Sequence, residues 1–240
     1  MYDQDMDVLD KMSNEELNVL VQLLIDKGTI SEMLSIDERY KRYAPDHKQY
    51  LDKIKEEINL MGGNTFANLL RGGEGIPYHE ILRDVCDKLK VPFNKNADLS
   101  RIEQCLLEKV LEKTWEEMSD VEKEELMKSL GGNFNAQGAL ASGVLISIFR
   151  AGGFASYQLA LIITNGIAKL IVNRGLSLAA NATLARALSI FSGPIGIALS
   201  AIWMISDIAG PAYRVTIPAT IYIAALRYSK NQEALQNFRL

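Results

Sequence analysis

The sequence predicts an all-α protein: an acidic N-terminal helical region followed by a compact, apolar, Ala/Gly-rich bundle of short helices. Three observations carry this. Apolar residues recur at three- and four-residue spacing behind Ser-x-x-Glu strings, which satisfy two free amides at a helix start. Glycine pairs follow two of these runs, where a helix end needs the left-handed conformation. No stretch alternates β-branched and polar residues with the period of two that marks a half-buried strand.

The first helix is expected to start at Ser13-Asn14-Glu15-Glu16, to run through Leu17, Val19, Leu20, Val21, Leu23, Leu24 and Ile25, and to stop at Gly28. A second is expected from near Pro45, since proline is tolerated in a first helical turn. Tyr50, Ile54, Ile58 and Met61 line its face, and Gly62-Gly63 end it. Another is expected to begin near Pro77. Ser100-Arg101-Ile102-Glu103 repeats the capping pattern ahead of Ile102, Leu106, Leu107, Val110 and Leu111, with Trp115 and Met118 extending the stripe. Ser119-Asp120-Val121-Glu122 opens a further helix, which Gly131-Gly132 stops. The outer faces of this half are expected to be acidic and solvated.

The chain has 240 residues, 48% of them apolar and 23% charged. Such a composition is globular and excludes a disordered tail, a collagen-like fibre and a disulfide-dense secreted domain. A net charge of −4 excludes an overall basic nucleic-acid binder. Residues 1–130 carry 18 Lys+Arg and 28 Asp+Glu, whereas residues 131–240 carry 8 and 2. The second half is thus both basic and apolar, which favours a membrane surface or an apolar partner over nucleic acid. Three stretches follow: a short helical module over 1–35, an acidic helical region over 36–132, and an apolar, basic bundle over 133–240. Cys86 and Cys105 form no CxxC pair and read as small buried residues of a reducing compartment. The acidic start, Met1-Tyr2-Asp3-Gln4-Asp5, has no signal pattern. The expected location is the cytoplasm, peripheral to the inner face of the cytoplasmic membrane or inserted there.

After Gly131 long stretches carry no charge: 18 residues from Ala151 to Ala168 and 20 from Ala187 to Ser206. About 18–20 apolar residues reach the length of a membrane span. Gly193-Pro194 interrupts the second stretch, leaving about 13 residues, roughly 20 Å of helix, short of a 30 Å hydrocarbon core. In the first, Gln158, Asn165 and Lys169 share one angular sector while Leu159, Ile162, Ile163, Gly166 and Leu170 lie elsewhere, the pattern of an amphipathic helix. Small residues at four-residue spacing, as in Ser177/Asn181/Ala185, Ser189/Gly193 and Gly196/Ser200, allow helices to approach closely.

Chemistry-bearing patterns are sparse. Arg71-Gly72-Gly73-Glu74-Gly75 precedes a helix and resembles a phosphate cradle, but it matches neither nucleotide-binding spacing, and Glu74 would repel an anion. A helix–helix turn is the simpler reading. His47, His79, Cys86 and Cys105 match no zinc spacing, so no metal or cofactor is expected. There is no Gly-x-Ser-x-Gly elbow and no histidine after residue 79, which disfavours a hydrolase and leans against an enzyme. Asp207 is the one acid between Glu125 and Glu233. Arg214 follows in equally apolar surroundings, and buried charges are costly unless paired. A pair between them is expected, or Arg214 meeting a helix C-terminus. Tyr213, Arg150 and Arg174 complete the constrained or partner-binding candidates with Arg71 and Glu74.

Several strings carry a resemblance to a known family. They are Glu38-Arg39-Tyr40-Lys41-Arg42-Tyr43 with Pro45-Asp46-His47, Arg150-Ala151-Gly152-Gly153-Phe154, Arg174-Gly175-Leu176-Ser177-Leu178-Ala179-Ala180-Asn181, and Asp207 to Pro218. Over nearly its whole length the chain resembles the YaaW-like family of uncharacterised bacterial proteins. That family is grouped distantly with the ubiquinol–cytochrome c chaperones, helical membrane-associated assembly factors of a respiratory complex. The resemblance implies a helical fold and an assembly role, and supplies no catalytic residue. Two functions are expected to compete. One is a non-enzymatic, membrane-associated binding protein of chaperone type that takes an apolar protein partner or a membrane surface. The alternative is a soluble bundle that opens and inserts, or forms a pore, at an anionic bilayer. Either is compatible with an oligomer, and neither uses nucleic acid.

Overall fold

In the computed structural model, residues 3–25, 33–62, 75–131, 142–173 and 212–237 are described. Among them helix is the only regular structure, and no strand occurs. A 3-10 segment, Gln4–Lys11, opens the chain, followed by α1 (Asn14–Ile25), α2 (Met33–Ile36), α3 (Glu38–Tyr43), a 3-10 turn (His47–Tyr50) and α4 (Leu51–Gly62). Next come α5 (Tyr78–Lys88), α6 (Leu99–Glu117), α7 (Asp120–Ser129), α8 (Ser142–Ala151), α9 (Gly153–Asn173) and α10 (Tyr213–Asn237).

Two of the expected capping boxes form. Glu16 N donates to Ser13 Oγ at 3.2 Å and Ser13 N to Glu16 Oε2 at 2.8 Å. Ser119 and Glu122 bond reciprocally at the start of α7. At the third site the structure differs. α6 is capped by Asp98, which accepts from Arg101 N at 2.8 Å, and it begins before Ser100. Glu103 is thereby released from capping and turns inward. Pro45 also differs from expectation: the α-helix starts at Leu51. The Asp46 carboxylate is taken by Asn14 Nδ2 at 3.0 Å and Gln49 Nε2 at 3.1 Å, and the chain makes a 3-10 turn before α4. α4 is described as far as Gly62, with Gly63 outside the described residues, and Gly131, at φ +81°, follows α7 as the pattern requires. Gly28 lies outside the described residues.

The core is continuous across the change of composition at residue 131. Side chains of the 3-10 segment, α1, α4, α5, α6, α8, α9 and α10 belong to one buried cluster. α10 is its axis. It packs against α9 most extensively and also touches α1, α4, α5, α6 and the N-terminal 3-10 segment. Residues 215–226 of α10 are all buried; a helix that is apolar on every side belongs in a core. Pro218 sits inside α10 as its sixth residue. It cannot donate to the Arg214 carbonyl, a loss of one bond near the helix start. α9 and α10, at 21 and 25 residues, are the longest helices of the apolar half.

Beneath α1 a histidine is fully packed. His47 Nε2 donates to Asn18 Oδ1 at 3.1 Å, so Nδ1 is the acceptor for the Tyr50 hydroxyl. Burial lowers the His47 pKa and raises that of Tyr50. A histidine held neutral takes up a proton more readily when unfolded, so its contribution is whole above the free value of 6.5 and is lost as pH falls below it. Unfolding free energy measured by urea is expected to drop between pH 7 and pH 5. In His47→Gln that slope should flatten, at a cost of about 1–2 kcal/mol at pH 7 from the imperfect bonds to Asn18 and Tyr50.

Candidate functional site

Arg227 is the first charged residue after the buried run of α10, and the fold must provide for it. Its Nε lies 2.9 Å from Glu103 Oε2 of α6, and its Nη2 donates to the Asp5 carbonyl. Glu103 is 3% exposed, and its Oε1 also accepts from the Tyr78 hydroxyl at 2.9 Å. The guanidinium carbon stands 5.8 Å from the Tyr78 ring centre, within cation–π range. Burial pushes the Glu103 carboxyl up, although Arg227 and Tyr78 pull it down, and it raises Tyr78 well above its ordinary value. Tyr78 N, at the first turn of α5, donates to Asp3 Oδ2 at 2.7 Å. Asp5 Oδ2 accepts from His79 Nδ1 at 3.0 Å. Four elements, the N-terminal segment, α5, α6 and α10, thus meet on one buried ion pair. Glu103 and Tyr78 are buried while Arg227, Asp5 and His79 are partly exposed, and the cluster acts as a clamp.

The second constellation is the corner between α8 and α9. Gly152 and Gly153 take φ +76° and +80°, a conformation that glycine adopts without strain. Three side chains hold the turn. Gly153 N donates to Gln232 Oε1 at 2.9 Å, Tyr228 Oη to the Phe149 carbonyl at 2.8 Å, and Ser156 Oγ lies 2.9 Å from the Ile148 and Phe149 carbonyls. The Phe149 and Tyr228 rings stack at 4.4 Å. Arg150 closes the corner onto α6 through two bonds to Glu108, at 2.8 and 2.6 Å, and those bonds raise the Arg150 pKa. From this corner α9 departs with Phe154 exposed. Gly153–Ile171 is long and apolar enough to cross a membrane, and half of it is buried inside the protein. Leu159, Ile162 and Ile163 face inward, while Gln158, Asn165 and Lys169 are half-buried.

Of the candidates read from sequence, Arg150 lies at this corner. Tyr213 lies at the start of α10, where Lys88 stands 5.0 Å from its ring centre. Burial, with a bond to Asp84, pushes its hydroxyl up to about 12. Arg214 is half-buried in the same turn. Asp207, Arg174, Arg71 and Glu74 lie outside the described residues, and with them the expected Asp207–Arg214 pair. Gly75, the last glycine of its loop, has a packing role: a Cβ there would come within 2.5 Å of the Asn59 backbone. The helix that follows it already holds an internal carboxylate, Asp3. Among the described residues no three His, Cys, Asp or Glu side chains are grouped to hold a metal. Cys86 is buried, and its thiol is pushed up to about 12 by burial, which makes it a poor nucleophile.

Sequence reasoning missed Glu103, Arg227, Tyr78 and Glu108. Arg227 had a signal, a lone base after a long apolar run, the same argument that singled out Arg214. Its partner 124 residues away had none.

Residues 46–221 match the family described as ubiquinol–cytochrome c chaperone. A UPF0174 protein of Helicobacter pylori strain J99 is 44% identical over 239 residues, covering 96% of this chain and 93% of its own. A second from that strain is 39% identical over 204 residues, covering 82% and 96%. The UPF0174 protein YaaW of Escherichia coli K12 is 33% identical over 235 residues, covering 94% of each chain. No solved structure matches.

Removing one partner of a buried pair strands the other. Glu103→Ala and Arg227→Ala are each expected to cost about 3–5 kcal/mol in urea unfolding. The apolar double replacement Glu103→Leu/Arg227→Met should recover much of that loss. Gly153→Ala, forced into positive φ, should cost about 1 kcal/mol or more.

Proposed function

The chain belongs to the ubiquinol–cytochrome c chaperone family, and from that membership we propose that it is a non-enzymatic helical binding protein of chaperone or assembly-factor type, working on an apolar partner at the inner face of the cytoplasmic membrane. One observation carries the reading: α9 is apolar enough to span a bilayer, yet the fold buries only half of that stretch. The rest of the stretch is half-buried except Phe154, which is exposed, and an apolar side chain left outside a core marks a contact site for a partner helix or a membrane. α10 does not share this role, because its apolar run is enclosed and ends on the Glu103–Arg227 pair. The partner is an apolar segment of a protein, met on the side of α8 and α9 where Phe154 stands exposed. Of the eight bases in residues 131–240, Arg150, Arg227 and Lys230 are paired with acids; Lys169 on α9 would favour an anionic leaflet nearby, at about 1 kcal/mol for a base close to the surface. The chain shares, in this reading, the chaperone role by which its family is described.

Fractionation of bacteria expressing the intact chain tests it. The chain is expected with membranes, released by high salt or carbonate, and crosslinked from a photoreactive residue at position 154 to an apolar protein segment. A chain wholly in the soluble fraction, with no such crosslink, would contradict the reading. Retention through carbonate would replace it with the inserting alternative.

A further inference from the structure

The string Glu38–Tyr43 with the turn to Tyr50 has no part in either constellation described above, yet it is held with care. α3 has six residues and buries none of them; a helix so short does not persist by itself. Asp37 caps it through bonds from Arg39 N at 2.8 Å and Tyr40 N at 3.3 Å. Arg39 grips Asp52 of α4 with bonds of 3.0 and 2.8 Å. The Tyr40 ring meets the edge of Tyr50, 6.0 Å between centres, and Tyr50 is bonded in turn to buried His47. Asn14 of α1 bonds both Asp46 and Lys48 N.

These bonds present a fixed outer corner. Lys41, Arg42, Tyr43, Ala44, Pro45 and Lys48 are exposed on it, with Ile36 at its edge. Five large apolar side chains are exposed among the described residues, and two of them, Ile36 and Tyr43, are here. Among the described residues none of Lys41, Arg42 and Lys48 forms an ion pair, although Lys48 acts through space on Asp46. The acids of the corner are exposed Glu38, at the opposite end of α3, and half-buried Asp46, which Asn14 and Gln49 hold. Tyr43 and Arg42 are of the residue types enriched at protein interfaces, and Lys41 and Lys48 add positive charge beside them.

We propose that this corner docks an acidic segment of a partner protein, one that also offers an apolar or aromatic side chain to Tyr43 and Ile36. Charge decides against a bilayer. A flat anionic surface would meet Glu38, Asp52 and Glu56 together with the bases, on a half that carries 28 acids to 18 bases. A peptide touches the corner alone. The inference goes beyond the α9 reading and does not depend on it.

The intact chain is titrated with a short synthetic peptide of Glu, Asp, Leu and Phe, with the same peptide carrying Gln and Asn, and with phosphatidylglycerol vesicles, while backbone amide resonances are followed. Saturable shifts centred on residues 36–48 are expected with the acidic peptide, absent with its neutral form. Lys41→Glu/Arg42→Glu should weaken that binding about tenfold without unfolding the chain, since both side chains are exposed. In cells, a photoreactive residue at position 43 should crosslink to an acidic segment, and the double reversal should abolish the product. Shifts scattered over other bases, vesicle binding through the corner without peptide binding, a dimer joined at position 43, or indifference to the reversal would each overturn the proposal. Crosslinks from position 154 report on α9 separately and are expected to survive the reversal.

Discussion

A guanidinium taken out of water must find its charge and its hydrogen bonds inside the protein, and α10 carries one at the end of its buried run. The consequences spread from Arg227. Glu103 must face inward from α6, Tyr78 must reach it from α5, and the Asp5 carbonyl must come to the guanidinium from the N-terminal segment. The raised Glu103 carboxyl shows that desolvation outweighs the partners' pull. Such a pair adds little net stability over well-packed apolar side chains. Its effect is to fix register: sliding α10 by one residue would strand both charges.

That register sets the position of the rest. With α10 placed, Tyr228 and Gln232 meet the backbone at Phe149 and Gly153. Lys230 reaches Glu16 at 3.0 Å, beside the Ser13 cap of α1. The glycine corner then sends α9 along α10 with one side enclosed and the other half-buried, Phe154 alone of its described side chains being exposed. The candidate binding surface is therefore a product of the core's charge pairing. It lies on α9 because α10 is already filled on every side.

Much of the fold was legible because its signals are local. The Ser13 and Ser119 boxes, the glycine at 131 and the three- and four-residue stripes act within one or two turns, and each formed as read. The failures have one physical cause, competition from distant partners. Ser100-x-x-Glu103 has the spacing of a box, but Asp98 caps the helix and a buried arginine claims Glu103. The acidic outer faces are expected to be solvated, yet Glu57 is fully buried, with Lys53 at 2.9 Å. The helix expected from Pro45 gave way because Asn14 holds Asp46. Of the site, Arg150 and the glycines beside it were visible as a string, but Glu108, Tyr228 and Gln232 were not, since nothing in a sequence marks which distant side chain meets a turn.

The central claim is that α10 is the core of the acidic half, locked in one cooperative unit with α6. Native-state hydrogen exchange tests this most directly. Amides of residues 219–226 and of residues 103–111 should exchange with the same free energy, equal to that of global unfolding, in solution and with vesicles present. Exchange of 219–226 at a lower free energy than 103–111, or release of α10 from protection in the presence of anionic vesicles, would contradict it.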